Sequence, residues 1–443
     1  MGIYLIIFFN ALVYFFGFYI IKRSGGLKQN LPFFFYLVVS IVYIFITPLY
    51  FYSVQRETVW GNFYTNYRGV GVYIYDYYDI VLIYYGLALL FFIFGYNSIK
   101  SKSANNKVAS MYKLYNPKMK IILVFFITFL IVLTDFLIAG VNPFAILLGT
   151  SEKSMFVNVA TTNYMRNFAD TIAATLIIAY YFKVEKKYFV VMVLASFILF
   201  ALLGFRYRII ITILGIFFVY VYKNRIKLST ILKLGIGVII FVLFMLFITV
   251  NRFVFVRGDY KNMVFNPTKF DYGILFEQTR GILADINVIK YMEVLEPSVS
   301  YDYGITFLYF IVRALPRSIV GNEFKDSLYP APAPKLIMDA YMLPNEWTKT
   351  VGEAPLHYCY FYIAGGLLGL FGFSYFFGIF YKWWKNKFPI NTDRNIILQV
   401  ILCIITFQWI SRGYFPQTLD HFSFLIIGCF TFFFLARHKF SLR

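Results

Sequence analysis

Apolar residues run along this chain in blocks about as long as a bilayer is thick, separated by short polar stretches. Allowing about 20 apolar residues per crossing, spans fall near residues 2–21, 31–52, 79–97, 121–140, 167–182, 188–204, 208–222, 230–250, 356–381, 396–411 and 422–436. The expected fold is an all-α polytopic membrane protein with about eleven transmembrane helices, within a range of about ten to thirteen. One long stretch interrupts the pattern. Residues 251–355 do not span and are expected to form a large outward-facing loop with short helices of its own. The division is then 1–250 for the first eight helices, 251–355 for the loop, and 356–443 for the last three helices and a cytoplasmic tail. Within the loop, 271–294 carries a moderately amphipathic helical stripe through Ile274, Phe276, Ile282, Ile286, Ile289 and Met292. The run GITFLYFIVRALP, ending at Pro316, is too short to cross and is expected to re-enter or lie on the interface. YPAPAPK at 329–335 reads as irregular, a lid or brace.

Composition agrees with this pattern and excludes a soluble globular protein: 60% of residues are hydrophobic, 22% are aromatic and the mean hydropathy is +0.69. A net charge of +20 is of the size found in nucleic-acid binders, but its distribution argues otherwise. More than half of the 41 basic residues follow odd-numbered spans, in clusters such as Lys22, Arg23 and Lys28, or Lys223, Arg225, Lys227 and Lys233. Of the 21 acids, only Glu185 and Asp393 share those gaps. Basic residues beside a span resist translocation, so that side is cytoplasmic, the N-terminus is outside and the C-terminus is inside. The excess charge is topological, and no nucleic-acid partner is implied. Cys359, Cys403 and Cys429 lie in apolar runs without metal-ligand or disulfide spacing, and read as small buried hydrophobes.

Candidate chemistry gathers on the outward side. Between Lys187 and Lys223 the chain has fewer than the about 40 residues that two full crossings need, so the turn GFRYR is drawn to the membrane surface with Arg206 and Arg208. A lone arginine at that depth is as readily explained by snorkelling to lipid phosphates. Two together favour binding of a lipid-linked phosphate or diphosphate, which the guanidinium fork grips bidentately. Arg317, Arg280 and Arg412 are further candidates for that role. In VGEAPLHYCYFYIAGGLLGL, Glu353 and His357 stand four apart, a spacing that makes a general-base pair if the helix begins early enough, although Pro355 argues for a later start. The plainer reading is a helix-entry acid and a space-filling histidine. Gly365, Gly366 and Gly369 read as close-packing glycines. Asp135, in the fourth span, reads as the only acid well inside one, and no acid pair faces outward beside the arginines to hold a metal.

The turn GFRYR opening a short helix, the long loop with ALPRS inside it, and AGGLLGL opening the next helix together resemble the bacterial O-antigen and capsule repeat-unit polymerases, the Wzy family. The likeness covers about residues 190–380. It implies a metal-independent, cofactor-free glycosyltransferase on the outer face of the bacterial plasma membrane. Its substrates would be undecaprenyl-diphosphate-linked oligosaccharides, and a chain-length regulator protein could be a further partner. By the same likeness Arg206, Arg208 and Arg317 would contact diphosphate, with Arg317 close to the chemistry. The related O-antigen ligases place a histidine before a similar glycine pattern at another spacing. Glu353 and His357 therefore both stay candidates for the base, and a ligase stays an alternative, as does a flippase for the same lipid-linked oligosaccharide.

Overall fold

Long apolar runs become long helices because backbone groups in hydrocarbon must be satisfied within the segment. The computed structural model describes residues 3–53, 70–100, 114–138, 163–202, 206–224, 243, 246–247, 250–251, 260–266, 279, 281–315, 321–327, 331–342 and 355–438. In chain order the helices are α1 (Ile3–Arg23), α2 (Gly26–Gln29), α3 (Leu31–Ser40), α4 (Thr47–Ser53), α5 (Val70–Ser98), α6 (Pro117–Ile138), α7 (Asn163–Tyr181), α8 (Lys186–Leu202) and α9 (Arg206–Lys223). Then follow α10 (Gly281–Lys290), α11 (Ile305–Ala314), α12 (Asn322–Ser327), α13 (Pro332–Met342), α14 (His357–Lys387), α15 (Asp393–Arg412) and α16 (Phe415–Arg437). π-helical turns at Ile41–Ile46 and Tyr291–Leu295 join α3 to α4 and extend α10. Among the described residues there is no strand.

Seven of these segments are long and apolar enough to cross a membrane: Tyr4–Arg23, Leu31–Tyr50, Tyr77–Ser98, Pro117–Asp135, His357–Lys387, Asp393–Arg412 and Phe415–Arg437. They coincide with the first four and last three expected spans. The fifth to seventh appear as the shorter or more polar α7, α8 and α9, and most of the eighth lies outside the described residues. All three cysteines are buried and free.

The chain divides into two compact units, residues 1–105, 276–389 and 405–420 in one, and 106–275, 390–404 and 421–443 in the other. In the first unit α5 and α14 approach until backbone meets backbone. A Cβ on Gly378 would fall 2.0 Å from the Phe92 carbonyl oxygen, and one on Gly95 would fall 2.0 Å from that of Tyr375. Small residues permit this spacing, and nothing larger fits without moving a helix. Gly378→Ala is expected to destabilise the protein by about 1–3 kcal/mol through overpacking. Thermal unfolding in detergent measures this, and an unchanged melting temperature would contradict so close a contact.

One end of this unit is tied by Asn30, whose amide donates to the Gly26 carbonyl (2.6 Å) and whose Oδ1 accepts from Tyr96 (2.6 Å) and Lys385 (2.7 Å). Tyr36 stacks on Phe92 in the core between, with centroids 3.9 Å apart. In the second unit α7 is central: Ile172, Ala173, Leu176, Ile177, Ile178 and Ala179 are all fully buried.

One expectation about the loop changes, and another is filled in. The Pro-rich stretch is not irregular throughout, because Pro332 and Pro334 open α13. Proline suits a first helical turn, where its missing N–H would have no partner anyway. The run 304–316 does form a ten-residue helix, α11, too short to span and exposing Ile305, Leu308 and Ile311 along one face. Asp302 caps it by accepting from the Gly304 and Thr306 N–H groups (2.8 and 3.3 Å).

Candidate functional site

In the first unit the candidate chemistry begins where α14 begins. Leu356 is extended and His357 opens the helix, two residues after Pro355. Glu353, the other member of the expected pair, lies outside the described residues.

Asp285 on α10 takes the Leu356 N–H at 2.9 Å and the Tyr85 hydroxyl at 2.6 Å. A carboxyl group here satisfies a donor at the helix entrance that has no partner within the helix. All ten residues of α10 are buried, and burial pushes the Asp285 carboxyl well above the usual carboxylate range. His357 is itself buried, with Nε2 2.8 Å from the Tyr36 hydroxyl, and Tyr36 in turn donates to Tyr358 at 2.9 Å. The result is a chain of one imidazole and two phenols through which a proton could pass. Which ring nitrogen carries the proton follows the tautomer.

Gly413 brings the end of α15 to the same place. Its φ of +49° is in the left-handed region, and a Cβ would lie 2.6 Å from the Leu356 carbonyl group and 2.7 Å from the His357 nitrogen. Only glycine meets both demands. Arg412, next to it, is exposed. The structure thus sets one predicted diphosphate ligand, Arg412, one residue from a glycine that touches the start of His357's helix.

The glycines beyond His357 do something other than expected. Gly365 and Gly366 break α14, with Gly366 at φ +59° and ψ −142°, a conformation essentially reserved for glycine. The Ile363 carbonyl near the break accepts the Asp302 N–H at 3.1 Å. At Gly369 a Cβ would meet the Phe361 carbonyl oxygen at 2.5 Å, within α14 itself across the break and not on another helix.

The second unit holds a buried charge cluster. Arg208 is 1% exposed and grips Asp170 bidentately, Nε to Oδ1 at 2.9 Å and Nη2 to Oδ2 at 3.1 Å. His421 Nδ1 reaches the same Oδ2 at 2.7 Å. The Arg208 Nη2 also donates to the Arg166 carbonyl at 3.4 Å, and Arg166 pairs with Asp135 at 2.9 Å. Arg208 therefore lies inside the protein, facing a carboxylate, in the first turn of α9. Asp170, like Asp135, is a buried acid on a long helix: it lies within α7 and is fully buried. Arg206 begins α9.

Of the residues singled out in the sequence, His357 and Arg412 lie in the first unit, where Gly413, next to Arg412, approaches the His357 backbone, and Arg208 lies in the second. Glu353, Arg280 and Arg317 lie outside the described residues. Asp285 escaped notice, although it had a local signal: it stands three residues after Ile282 and four before Ile289, an acid on an apolar stripe. Tyr36 had none, being one of 39 tyrosines.

The chain matches the family described as O-antigen polysaccharide polymerase Wzy over residues 3–441. No curated protein and no solved structure matches it.

Proposed function

Because the chain belongs to the O-antigen polysaccharide polymerase Wzy family, polymerising glycosyltransferases of polysaccharide biosynthesis, we propose that it joins undecaprenyl-diphosphate-linked oligosaccharide repeat units on the outer face of the bacterial plasma membrane. The family match over nearly the whole chain carries this reading, and the helices long and apolar enough to span a membrane support it. A hydroxyl on one lipid-linked repeat unit gives its proton to Glu353 or His357. Its oxygen bonds to the anomeric carbon of the growing chain. The bond from that carbon to the diphosphate oxygen breaks, and the electron pair leaves with undecaprenyl diphosphate. Arginines stabilise the charge on the departing group, a term often dominant in transfer reactions, and no metal is required. Arg412, exposed beside the entrance of α14, is the first choice for this role, with Arg317 and Arg280. Arg206 and Arg208 are further diphosphate ligands, Arg208 only when its pairing with Asp170 opens.

The test is a gel of surface polysaccharide from the host with this gene deleted and then restored. Deletion is expected to leave single repeat units, wild type to restore the ladder, and Arg412→Ala, present in the membrane at normal amount, to leave the ladder strongly reduced. Loss of even the single repeat on deletion would indicate a flippase. An unchanged ladder would end the polymerase reading.

A further inference from the structure

Glu293 belongs to the π-helical turn Tyr291–Leu295 that extends α10, a kind of turn frequent at functional sites. Among the described residues its carboxylate is held by phenols: Tyr77 on α5 donates to Oε2 and Tyr362 on α14 to Oε1. Tyr84 stands beside the same carboxylate, its ring nearly parallel to that of Tyr362 at 13° with centroids 6.4 Å apart. Tyr301, more than a third exposed, lies against the glycine break, where a Cβ on Gly366 would fall 2.8 Å from its hydroxyl. All of these residues are in the first unit. Glu293, Tyr77 and Tyr84 are each only partly covered, and none of the ion pairs among the described residues includes Glu293.

Phenols are neutral donors that bring no positive charge to the carboxylate they hold, and at least two of its roughly four acceptor positions are used. Glu293 and two of the rings around it, Tyr77 and Tyr84, are partly open. Such a carboxylate repels a diphosphate. It suits a neutral polyhydroxylated ring, whose adjacent hydroxyls donate to the carboxylate while its apolar C–H face lies on a phenol ring, the usual mixture of aromatic wall and few fixed polar groups in a ligand site. We propose that Glu293, Tyr77, Tyr84 and Tyr362 form a sugar-binding subsite that takes a pyranose of the repeat unit. The proposal rests on the polymerase reading above and adds where the sugar, as distinct from the diphosphate, is held.

The test uses the full-length protein in detergent and the host's own lipid-linked repeat unit, with the free oligosaccharide released from it by mild acid as the binding probe. Glu293→Gln keeps shape and removes charge. It is expected to raise KM by about tenfold or more while kcat stays within about threefold, the pattern of lost uniform binding, and to weaken saturation-transfer NMR signals from the free oligosaccharide. Tyr84→Ala, a change at a partly exposed ring, is expected to raise KM in the same direction and covers the case in which Glu293→Gln does not fold. Unchanged KM in either folded variant would overturn the subsite. If wild type itself builds no polymer from the lipid-linked unit, the polymerase reading fails; if wild type polymerises and the variants match it, the subsite alone fails.

Discussion

Replacing Asp170 with alanine is expected to destabilise the protein by about 3–5 kcal/mol, because it leaves the Arg208 guanidinium buried without its carboxylate. The pair is 0–1% exposed and bidentate, so water cannot take the place of the missing oxygen atoms. Thermal unfolding in detergent and the amount of folded protein in the membrane both report this loss. The double variant Asp170→Ala/Arg208→Met removes both charges, and is expected to recover most of the stability, since apolar replacement of a buried pair is often neutral. The double variant also separates two roles that a single Arg208→Ala cannot. If it folds and still builds the ladder, Arg208 has no part in holding diphosphate. If it folds and builds none, the diphosphate role gains support. A stable Asp170→Ala would mean that the pair is not buried as described.

Gly413→Ala is the second large effect, and it bears on function more than on stability. The added methyl would meet the backbone of Leu356 and His357 at 2.6–2.7 Å, and the φ of +49° gives it no easier conformation. Backbone cannot rotate aside as a side chain can, so the end of α15 must withdraw from the entrance of α14. A displacement of about 1 Å at reacting groups can cost about 100-fold in rate, and a loss of that order is expected in polymer formation by purified protein. Gly372→Ala, where an added Cβ meets nothing within 4 Å, is the matched control. Equal activity of the two variants would show that this contact does not position the chemistry.

These two residues also mark how far the sequence could be read. Seven spans were legible because each is written in about 20 mostly apolar residues, a signal that survives without knowledge of any neighbour. For chemistry, local pattern could only name candidates, as in the run from Glu353 to Leu370. What joins distant stretches was not: Asp170 meets Arg208 across 38 residues, and Tyr36 meets His357 across 321. Arg208 was visible as a costly charge near a membrane, but the partner that resolves the cost lies on another helix. Pro332 and Pro334 misled in the opposite way. Proline-rich sequence suggests irregular chain, whereas the first turn of a helix accepts the same residues without loss. The Gly365–Gly366 pair held its meaning in plain view, since two adjacent glycines weaken a helix as readily as they let another approach.

The break at that pair also uncouples the depth of His357 from the thickness of the bilayer. As one straight rod the 31 residues of α14 would measure roughly 46 Å, well beyond the about 30 Å of hydrocarbon. A rod of that length tilts to hide its excess, and its tip moves sideways as lipid composition changes. Residues 367–387 alone are about the length of a crossing. They can lean or straighten with the surrounding lipid while the short segment before the glycines stays moored to Asp302, Asp285 and Tyr36.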